Sequence, residues 1–298
     1  MRIAILGLGK MGSRIAQKLH DEGHEVIAWN RTPKEIEGVE FVENIQDLAS
    51  KLQTPRVIWL MLPAGEVTDE TLAEVEKFVE KGDIVVDGGN AHFQETEKRY
   101  QYFKALGIEF LGIGVSGGII AARNGYPLMV GGSRAAYEYI KPILDSLATP
   151  NGGHEYFGIG GAGHFVKMVH NAIEYGYMQS IGEGFEVLEK SSYGFDLEKI
   201  ANLYRKNTLV SGFMMDRTEE VLQRDPKLEG LTGFIGRASG ETVWAVEEAK
   251  RLGVDMEIIE ASSNYRLRSE TDLKIQKSFT AKMIAMLRNA FGGHEIKK

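Results

Sequence analysis

Arg2-Ile3-Ala4-Ile5-Leu6-Gly7-Leu8-Gly9-Lys10-Met11-Gly12 is the stretch on which the fold turns. A short apolar run, Ile3 to Leu6, leads directly into G-x-G-x-x-G. A helical pattern follows to about Asp21, Gly23 stops it, and a second strand is expected over Glu25–Trp29. Strand, glycine fingerprint, helix, strand is the context in which a glycine pattern signals a dinucleotide-binding turn. The first glycine permits the tight turn and the second lets the backbone approach a pyrophosphate. The third lets helix and strand pack closely, with the phosphates on the helix N-terminus. Gly7, Leu8, Gly9, Lys10, Met11 and Gly12 are therefore the first cofactor candidates.

The tip of the second strand bears on cofactor choice. Sites that prefer NAD usually place Asp or Glu there to hold the ribose 2′-hydroxyl, and this chain has Asn30-Arg31-Thr32. Arg31 can pair with a 2′-phosphate, and Asn30 and Thr32 can donate hydrogen bonds to it, which favours NADP. If Arg31 only stacks on the adenine, NAD binds as well. Further strands are expected over Arg56–Leu62, ending at Pro63, and over Ile84–Asp87, ending at Gly88-Gly89-Asn90. Two more are expected over Phe110–Val115, ending at Ser116-Gly117-Gly118, and over Leu128–Val130, ending at Gly131-Gly132. Helical patterns lie between most of them (Val67–Val79, Gln94–Ala105, Ala135–Leu147). In a doubly wound sheet, ligands bind outside the carboxyl ends of the strands, so Leu62, Asn90, Ser116, Gly117 and Gly118 join the candidates. Residues 1–163 read as a Rossmann-type α/β domain with a doubly wound sheet.

Beyond Gly163 the strand-like runs stop. Helices are expected at about His164–Ser191, Leu197–Lys206, Ser211–Gln223, Thr242–Leu252, Met256–Tyr265 and Asp272–Ala290, the last ending at the plausible cap Gly292-Gly293. Residues 164–298 read as an all-α domain, with Gly158–Gly163 as the hinge. The first of these helices splits into two faces. Lys167, His170, Asn171, Glu174 and Tyr175 share one stripe, and Phe165, Val166, Met168, Val169, Ala172, Ile173 and Gly176 fill the other, expected to be buried. A solvated face is usually built from Glu, Lys, Gln and Arg, which are better helix formers than His, Asn or Tyr. Composition alone leaves the stripe open between solvated face and functional site.

The bulk properties narrow the classes. At 298 residues and 43% hydrophobic, the chain can bury a large core, and its length suggests about two domains. It has no cysteine, which removes disulfides, thiolate metal sites and a cysteine nucleophile and fits a cytoplasmic location. No secretory leader and no membrane span are expected. A formal charge of −7 argues against a nucleic-acid surface, so an anionic ligand would need a local cluster of cations. His20 and His24 stand four apart, but Gly23 intervenes at a probable helix end, and no metal site is expected.

Taken together, these motifs resemble those of the 6-phosphogluconate dehydrogenases, in the β-hydroxyacid dehydrogenase superfamily, and the chain looks like the family's short form. The resemblance rests on Gly7-Leu8-Gly9-Lys10-Met11-Gly12, Asn30-Arg31-Thr32, Asp87-Gly88-Gly89-Asn90, Val115-Ser116-Gly117-Gly118, the 161–179 helix and Arg288-Asn289-Ala290-Phe291-Gly292-Gly293-His294. It implies Lys167 as general base and Glu174 as general acid. It also implies that Asn90, Ser116, Gly117, Gly118, His170 and Asn171 hold a sugar-acid carboxylate and hydroxyls. Tyr175 and Arg266, the latter placed by its spacing from Trp244, would surround the phosphate. Arg288 and His294 would join them from a partner chain, in a homodimer or homotetramer whose C-terminal tail completes the neighbouring site. Some positions depart from the family. Where long forms have a phosphate-contacting lysine, this chain has Ala238-Ser239-Gly240-Glu241, with Arg237 as the candidate substitute. Pro63 stands where long forms often carry a lysine, and Ala91-His92 and Asn264-Tyr265 are atypical.

The chemistry is consistent with those roles. A lysine serves as base only if its pKa, ~10.4 in water, is pulled toward neutrality by burial or a neighbouring positive charge. Residues seven apart on a helix are two turns, ~10.5 Å, apart along the axis, and long side chains can converge on a sugar acid between them. Two rivals are a β-hydroxyacid dehydrogenase that stops at the keto acid and a non-catalytic NADP-binding sensor.

Overall fold

The computed structural model describes residues 1–238 and 240–297. Two compact units result, Met1–Met168 and Val169–Lys298. The first is built on eight strands: β1 (Arg2–Leu6), β2 (Glu25–Trp29), β3 (Glu40–Phe41), β4 (Val57–Leu60), β5 (Ile84–Asp87), β6 (Glu109–Val115), β7 (Pro127–Gly132) and β8 (Gly153–Gly158). They form one sheet in the order β3-β2-β1-β4-β5-β6-β7-β8. All pairs are parallel except β6 with β7. Around it run α1 (Gly12–Asp21), α2 (Leu48–Lys51), α3 (Glu66–Glu76), α4 (Phe93–Ala105), α5 (Ala121–Asn124) and α6 (Arg134–Ala148).

The apolar runs of the central strands follow from this layering. Alternate residues of a strand point to opposite faces, and helices cover both. Ile3, Ile5, Trp59 and Val86 pack with Ile15 and Leu19 of α1 and Ile140 and Leu144 of α6. Their neighbours Ala4, Leu6, Ile58, Leu60 and Val85 pack with Leu72 and Val75 of α3 and Tyr100 and Phe103 of α4. With both faces covered, the strands read as continuous apolar segments.

α7 (Ala162–Lys190) is 29 residues long; it begins in the first unit and ends in the second. The unit boundary thus falls inside a helix, not at the glycine-rich stretch before it. The second unit adds α8 (Leu197–Tyr204), α9 (Phe213–Arg224), α10 (Glu241–Leu252), α11 (Glu257–Arg268), α12 (Leu273–Lys277) and α13 (Phe279–Gly292). Its core joins Met178, Ile181 and Phe185 of α7 to Met215, Leu222, Met283 and Leu287. The single helix expected over Asp272–Ala290 is two, because Ser278 adopts an extended conformation (φ −70°, ψ 147°) and its hydroxyl accepts from Ala281 N to cap α13. Gly293 ends α13 in the left-handed conformation (φ 62°), as its sequence position suggested. β8 was not anticipated. Its alternation is carried by polar and aromatic residues on a half-exposed edge strand. Among the described residues no helix is long and apolar enough to cross a membrane, and no cluster of ligating side chains could hold a metal ion.

Two histidines in the first unit give the fold a pH dependence. His24 and His164 both have pKa values lowered from the usual 6.5, chiefly by burial. Below that pH the unfolded chain takes up protons that the native state resists, so stability is full above it and is lost as pH falls toward the lowered values. Urea unfolding from about pH 7.5 to 5.5 should show that loss, and a His24→Gln/His164→Gln variant should flatten it. An unchanged slope in the variant would contradict this assignment.

Candidate active site

The glycine fingerprint folds as its spacing requires. Gly7 has φ +99°, and a Cβ there would lie 2.6 Å from Met61 O. A Cβ on Gly12 would lie 1.9 Å from Gly7 O, so α1 starts against the end of β1 at backbone distance. A Cβ on Gly9 would meet nothing within 4 Å. Close packing at the outer glycines with open space at the middle one fits a pyrophosphate lying over the turn. Asn30 Oδ1 accepts from Leu8 N at 2.8 Å and its Nδ2 donates to Thr32 O at 2.7 Å, so this side chain braces the two loops together. Lys34, absent from the sequence reading, donates to Leu8 O at 2.9 Å. Arg31 and Thr32 are exposed on the same loop, and Lys10 is exposed beside the turn.

Leu62 lies between this turn and the next strand tip. Its Cδ2 would be 2.7 Å from a Cβ on Gly7, and its carbonyl 2.4 Å from one on Gly89. The Gly88-Gly89-Asn90 loop is held from below: buried Asp87 accepts from Gly89 N at 3.1 Å and pairs with Arg99 at 3.0 Å. Arg99 in turn pairs with Asp69. Asn90 is exposed at the end of this loop. Ser116 is buried, and its N–H donates to Pro127 O. Gly117 (φ +89°) then turns the chain where a Cβ would meet Ala121 Cβ at 2.7 Å, and Gly118 opens a short 3-10 turn.

The start of α7 lies on the sheet through missing side chains. A Cβ on Gly163 would be 2.4 Å from Met129 O and 2.5 Å from Gly112 O, and one on Gly114 would be 2.3 Å from Lys167 Cβ. Lys167 is consequently buried, 6% exposed. This corrects the two-face reading of the helix. The face that lies on β6 carries His164 and Lys167, whereas Phe165 and Val166 line an apolar groove with Phe93, Phe157 and Ile159. Ile173, expected to be buried, is 60% exposed.

Farther along α7, in the second unit, His170 Nδ1 is 2.9 Å from Asn171 Oδ1, and Asn171 Nδ2 donates to Glu241 Oε1 at 3.0 Å. Glu241 was missed because it had no motif of its own. It opens α10, where the helix N-terminus favours a carboxylate. The most unusual feature of this unit is a pair of guanidinium groups. Arg266 is 3% exposed, stacks on the Tyr175 ring at 3.9 Å, and donates from Nε to Gly236 O at 3.2 Å. Its Nη1 is buried with no hydrogen-bond partner among the described residues. Burial pulls its pKa down to about 10, with Arg288 adding to the effect and Tyr175 and Glu174 opposing it. Burial likewise lowers Arg288, against Tyr175 and Glu174, and Arg288 Nη1 donates to Ile235 O at 2.5 Å.

Arg288 therefore joins Tyr175, Glu174 and Arg266 within one chain. α13 packs in the core of its own helical unit and brings Arg288 beside these residues of the same chain. His294 is exposed; its carbonyl accepts from Asn289 Nδ2, and its ring lies where a Cβ on Gly292 would be. Arg237 is committed elsewhere, to both oxygens of Glu270 at 3.1 and 2.8 Å. Ser239, part of the departure before α10, lies outside the described residues.

The comparisons with known proteins agree with this layout. Residues 2–160 match the model of the NAD binding domain of 6-phosphogluconate dehydrogenase, and residues 163–298 match that of the 6-phosphogluconate dehydrogenase C-terminal domain. The chain belongs to the 6-phosphogluconate dehydrogenase family. YqeC of Bacillus subtilis, provisionally named a 6-phosphogluconate dehydrogenase, is 40% identical over 303 residues, the whole of both chains. The NAD(+)-dependent, decarboxylating 6-phosphogluconate dehydrogenase of Haloferax volcanii is 35% identical over 304 residues, covering all of this chain and 99% of that one. Among solved structures, 6-phosphogluconate dehydrogenase from Plasmodium falciparum, described apo and with NADP+ or 6-phosphogluconate, has a TM-score of 0.81 at 30% identity. The match covers 90% of this chain and 62% of that one, so the long enzyme has a portion without a counterpart here. A 3-hydroxyisobutyrate dehydrogenase from Mycobacterium tuberculosis shares the fold at 20% identity (TM-score 0.73, 95% of this chain and 97% of that one).

The glycine seats give a direct test in this family member. Gly114→Ala places a methyl group at the root of the Lys167 side chain, where the helix has to move to make room. It should cost about 1–3 kcal/mol in urea unfolding and lower turnover further than that loss explains, while NADP+ binding persists. Wild-type stability and turnover in this variant would contradict the packing argument.

Proposed function

We propose that this chain catalyses the oxidative decarboxylation of 6-phospho-D-gluconate to D-ribulose 5-phosphate and CO2, with NADP+ as the favoured acceptor and NAD+ as a second one. The observation that carries this reading is the pair Arg266 and Arg288. Two desolvated guanidinium groups, one with a buried donor unmatched, are costly in the absence of an anion. A phosphate dianion offsets that cost through charge-assisted hydrogen bonds.

In this reading NADP+, when bound to the first unit, accepts the hydride from C3 of the sugar acid. Neutral Lys167 takes the C3 hydroxyl proton as the C–H bond breaks, which leaves a ketone β to the carboxylate. Protonated Lys167 then polarises that carbonyl; the C1–C2 bond breaks, CO2 leaves, and the electron pair becomes an enediolate. Lys167 gives its proton to that oxygen, forming the enediol, and then takes it back as Glu174 delivers a proton to the carbon that becomes C1 of ribulose 5-phosphate, which restores the ketone. Asn90, Ser116, Gly117, Gly118, His170 and Asn171 hold the carboxylate and hydroxyls, with Glu241 fixing Asn171. Tyr175, Arg266, Arg288 and His294 hold the phosphate. We also propose a homo-oligomer, supported by large apolar side chains left exposed on the helical unit, among them Ile173, Val187, Tyr193 and Ile258.

The test is to incubate the protein with 6-phosphogluconate and each cofactor, recording the reduced nicotinamide and released CO2 together. Equal amounts of the two support the reading. Reduction without CO2 points to a β-hydroxyacid dehydrogenase, and cofactor binding without turnover to a sensor. Lys167→Met should abolish turnover and leave cofactor affinity unchanged; retained activity would remove the base assignment. Arg266→Met should raise the KM for 6-phosphogluconate by about 10–100-fold, the worth of one or two charged hydrogen bonds, with little change in the KM for NADP+. An unchanged KM would argue against the phosphate site. Arg31→Ala should lower kcat/KM for NADP+ by about tenfold or more and spare NAD+; equal losses with both would refute the cofactor preference.

A further inference from the structure

Lys167 is not the only polar side chain that the first turns of α7 bury. His164 is 2% exposed, and its Nδ1 is 2.7 Å from Thr96 Oγ1 of α4, which is itself fully buried. The carboxylate of Asp87, the backbone of Gly89 and Ile113 and the guanidinium of Arg99 lie near the ring, whose Nε2 makes no hydrogen bond among the described residues. One histidine therefore touches four pieces of the first unit: α4, the end of β5 where the Asn90 loop begins, β6, and α7 itself.

The seats on β6 show what this arrangement controls. Gly112 and Gly114 are two apart and share one face of the strand. A Cβ on Gly112 would come within 3.1 Å of His164 Nδ1, and one on Gly114 within 2.3 Å of Lys167 Cβ. His164 and Lys167 are three apart and share one face of the helix. Two successive side chains of α7 thus dock in two successive gaps of one strand. A single seat would leave the helix free to turn about it, whereas two fix both its rotation and its register.

We infer that His164 is a positioning residue for Lys167: its bond to Thr96 locks the first turns of α7 against β6 and the Asn90 loop, which sets the direction of the lysine side chain. His164 takes no part in proton transfer, since it is sealed from solvent and burial holds it in the neutral form. The inference rests on the proposed role of Lys167 as base. A histidine that merely fills the core would affect stability and nothing else.

The test uses the full chain with His164→Leu, Thr96→Val, Thr96→Ser and the His164→Leu/Thr96→Val pair, and two readouts. The first is kcat and KM with 6-phosphogluconate and NADP+. The second is the pH dependence of acetic anhydride labelling of Lys167, read by peptide mass spectrometry on the NADP+ complex, which needs no turnover. His164→Leu and Thr96→Val should each lower kcat by about 10–100-fold, as a base displaced by a fraction of an ångström would, with both KM values nearly unchanged. The labelling profile of Lys167 should shift along the pH axis. Thr96→Ser keeps the hydroxyl and should restore most of the rate lost in Thr96→Val, and the double variant should be no worse than either single one. A fall in Tm with unchanged kcat and an unchanged labelling profile would overturn the inference. If His164→Leu does not fold, the contrast between Thr96→Val and Thr96→Ser decides it. If the wild type does not turn over 6-phosphogluconate, the functional reading fails while the labelling still decides the positioning role.

Discussion

The structure depends on a backbone-to-backbone approach that only glycine allows. Gly114, Gly131 and Gly163 remove the side chains between the start of α7 and the β6–β7 pair, where added Cβ atoms would stand 2.3–2.4 Å from their nearest neighbours, and a Cβ on Gly112 would meet Thr96 Cγ2 at 2.4 Å and His164 Nδ1 at 3.1 Å. Close packing of that kind leaves little freedom, because interiors resist even a methylene of change. It also explains how a lysine becomes buried in a chain this acidic. Lys167 does not insert into an apolar core; the start of its helix sinks into a trough lined by Gly112 and Gly114 of β6 and Gly131 of β7.

The helical unit shows the opposite economy. There the chain takes two cations out of water together: Arg266 and Arg288 share one carboxylate neighbour, Glu174, with Tyr175 stacked on Arg266. A core of apolar residues at those positions would be more stable. Retaining the cations makes physical sense under the proposed function, since an anionic ligand that binds only the folded state stabilises it in proportion to its occupancy.

Much of this was legible in the sequence because it is local. The turn at Gly7–Gly12 depends on residues within a few positions of one another, and the apolar strands follow from burial on both faces. Helix patterns in the second half emerged with boundaries off by at most three residues, except that the break at Ser278 was hidden inside a good helical periodicity. What could not be read depends on contacts distant in sequence. His164 acquires its meaning only from Thr96 and Gly112, and Asn171 only from Glu241. The two-face reading of α7 failed at Lys167 and Ile173 for the same reason, because periodicity identifies faces but not what each face meets. The packing of α13, which brings Arg288 to Tyr175 and Glu174 of its own chain, could not be inferred from its motif either.

The account's central claim is that one helix carries both the base and the acid, two turns apart, with Glu174 delivering the final proton from the protein. Running the reaction in D2O and determining the configuration at C1 of the ribulose 5-phosphate tests this most directly. The account predicts a single deuterium in one prochiral position with the wild type, and slow, non-stereospecific deuteration with Glu174→Gln. Stereospecific deuteration at the wild-type rate in Glu174→Gln would contradict it.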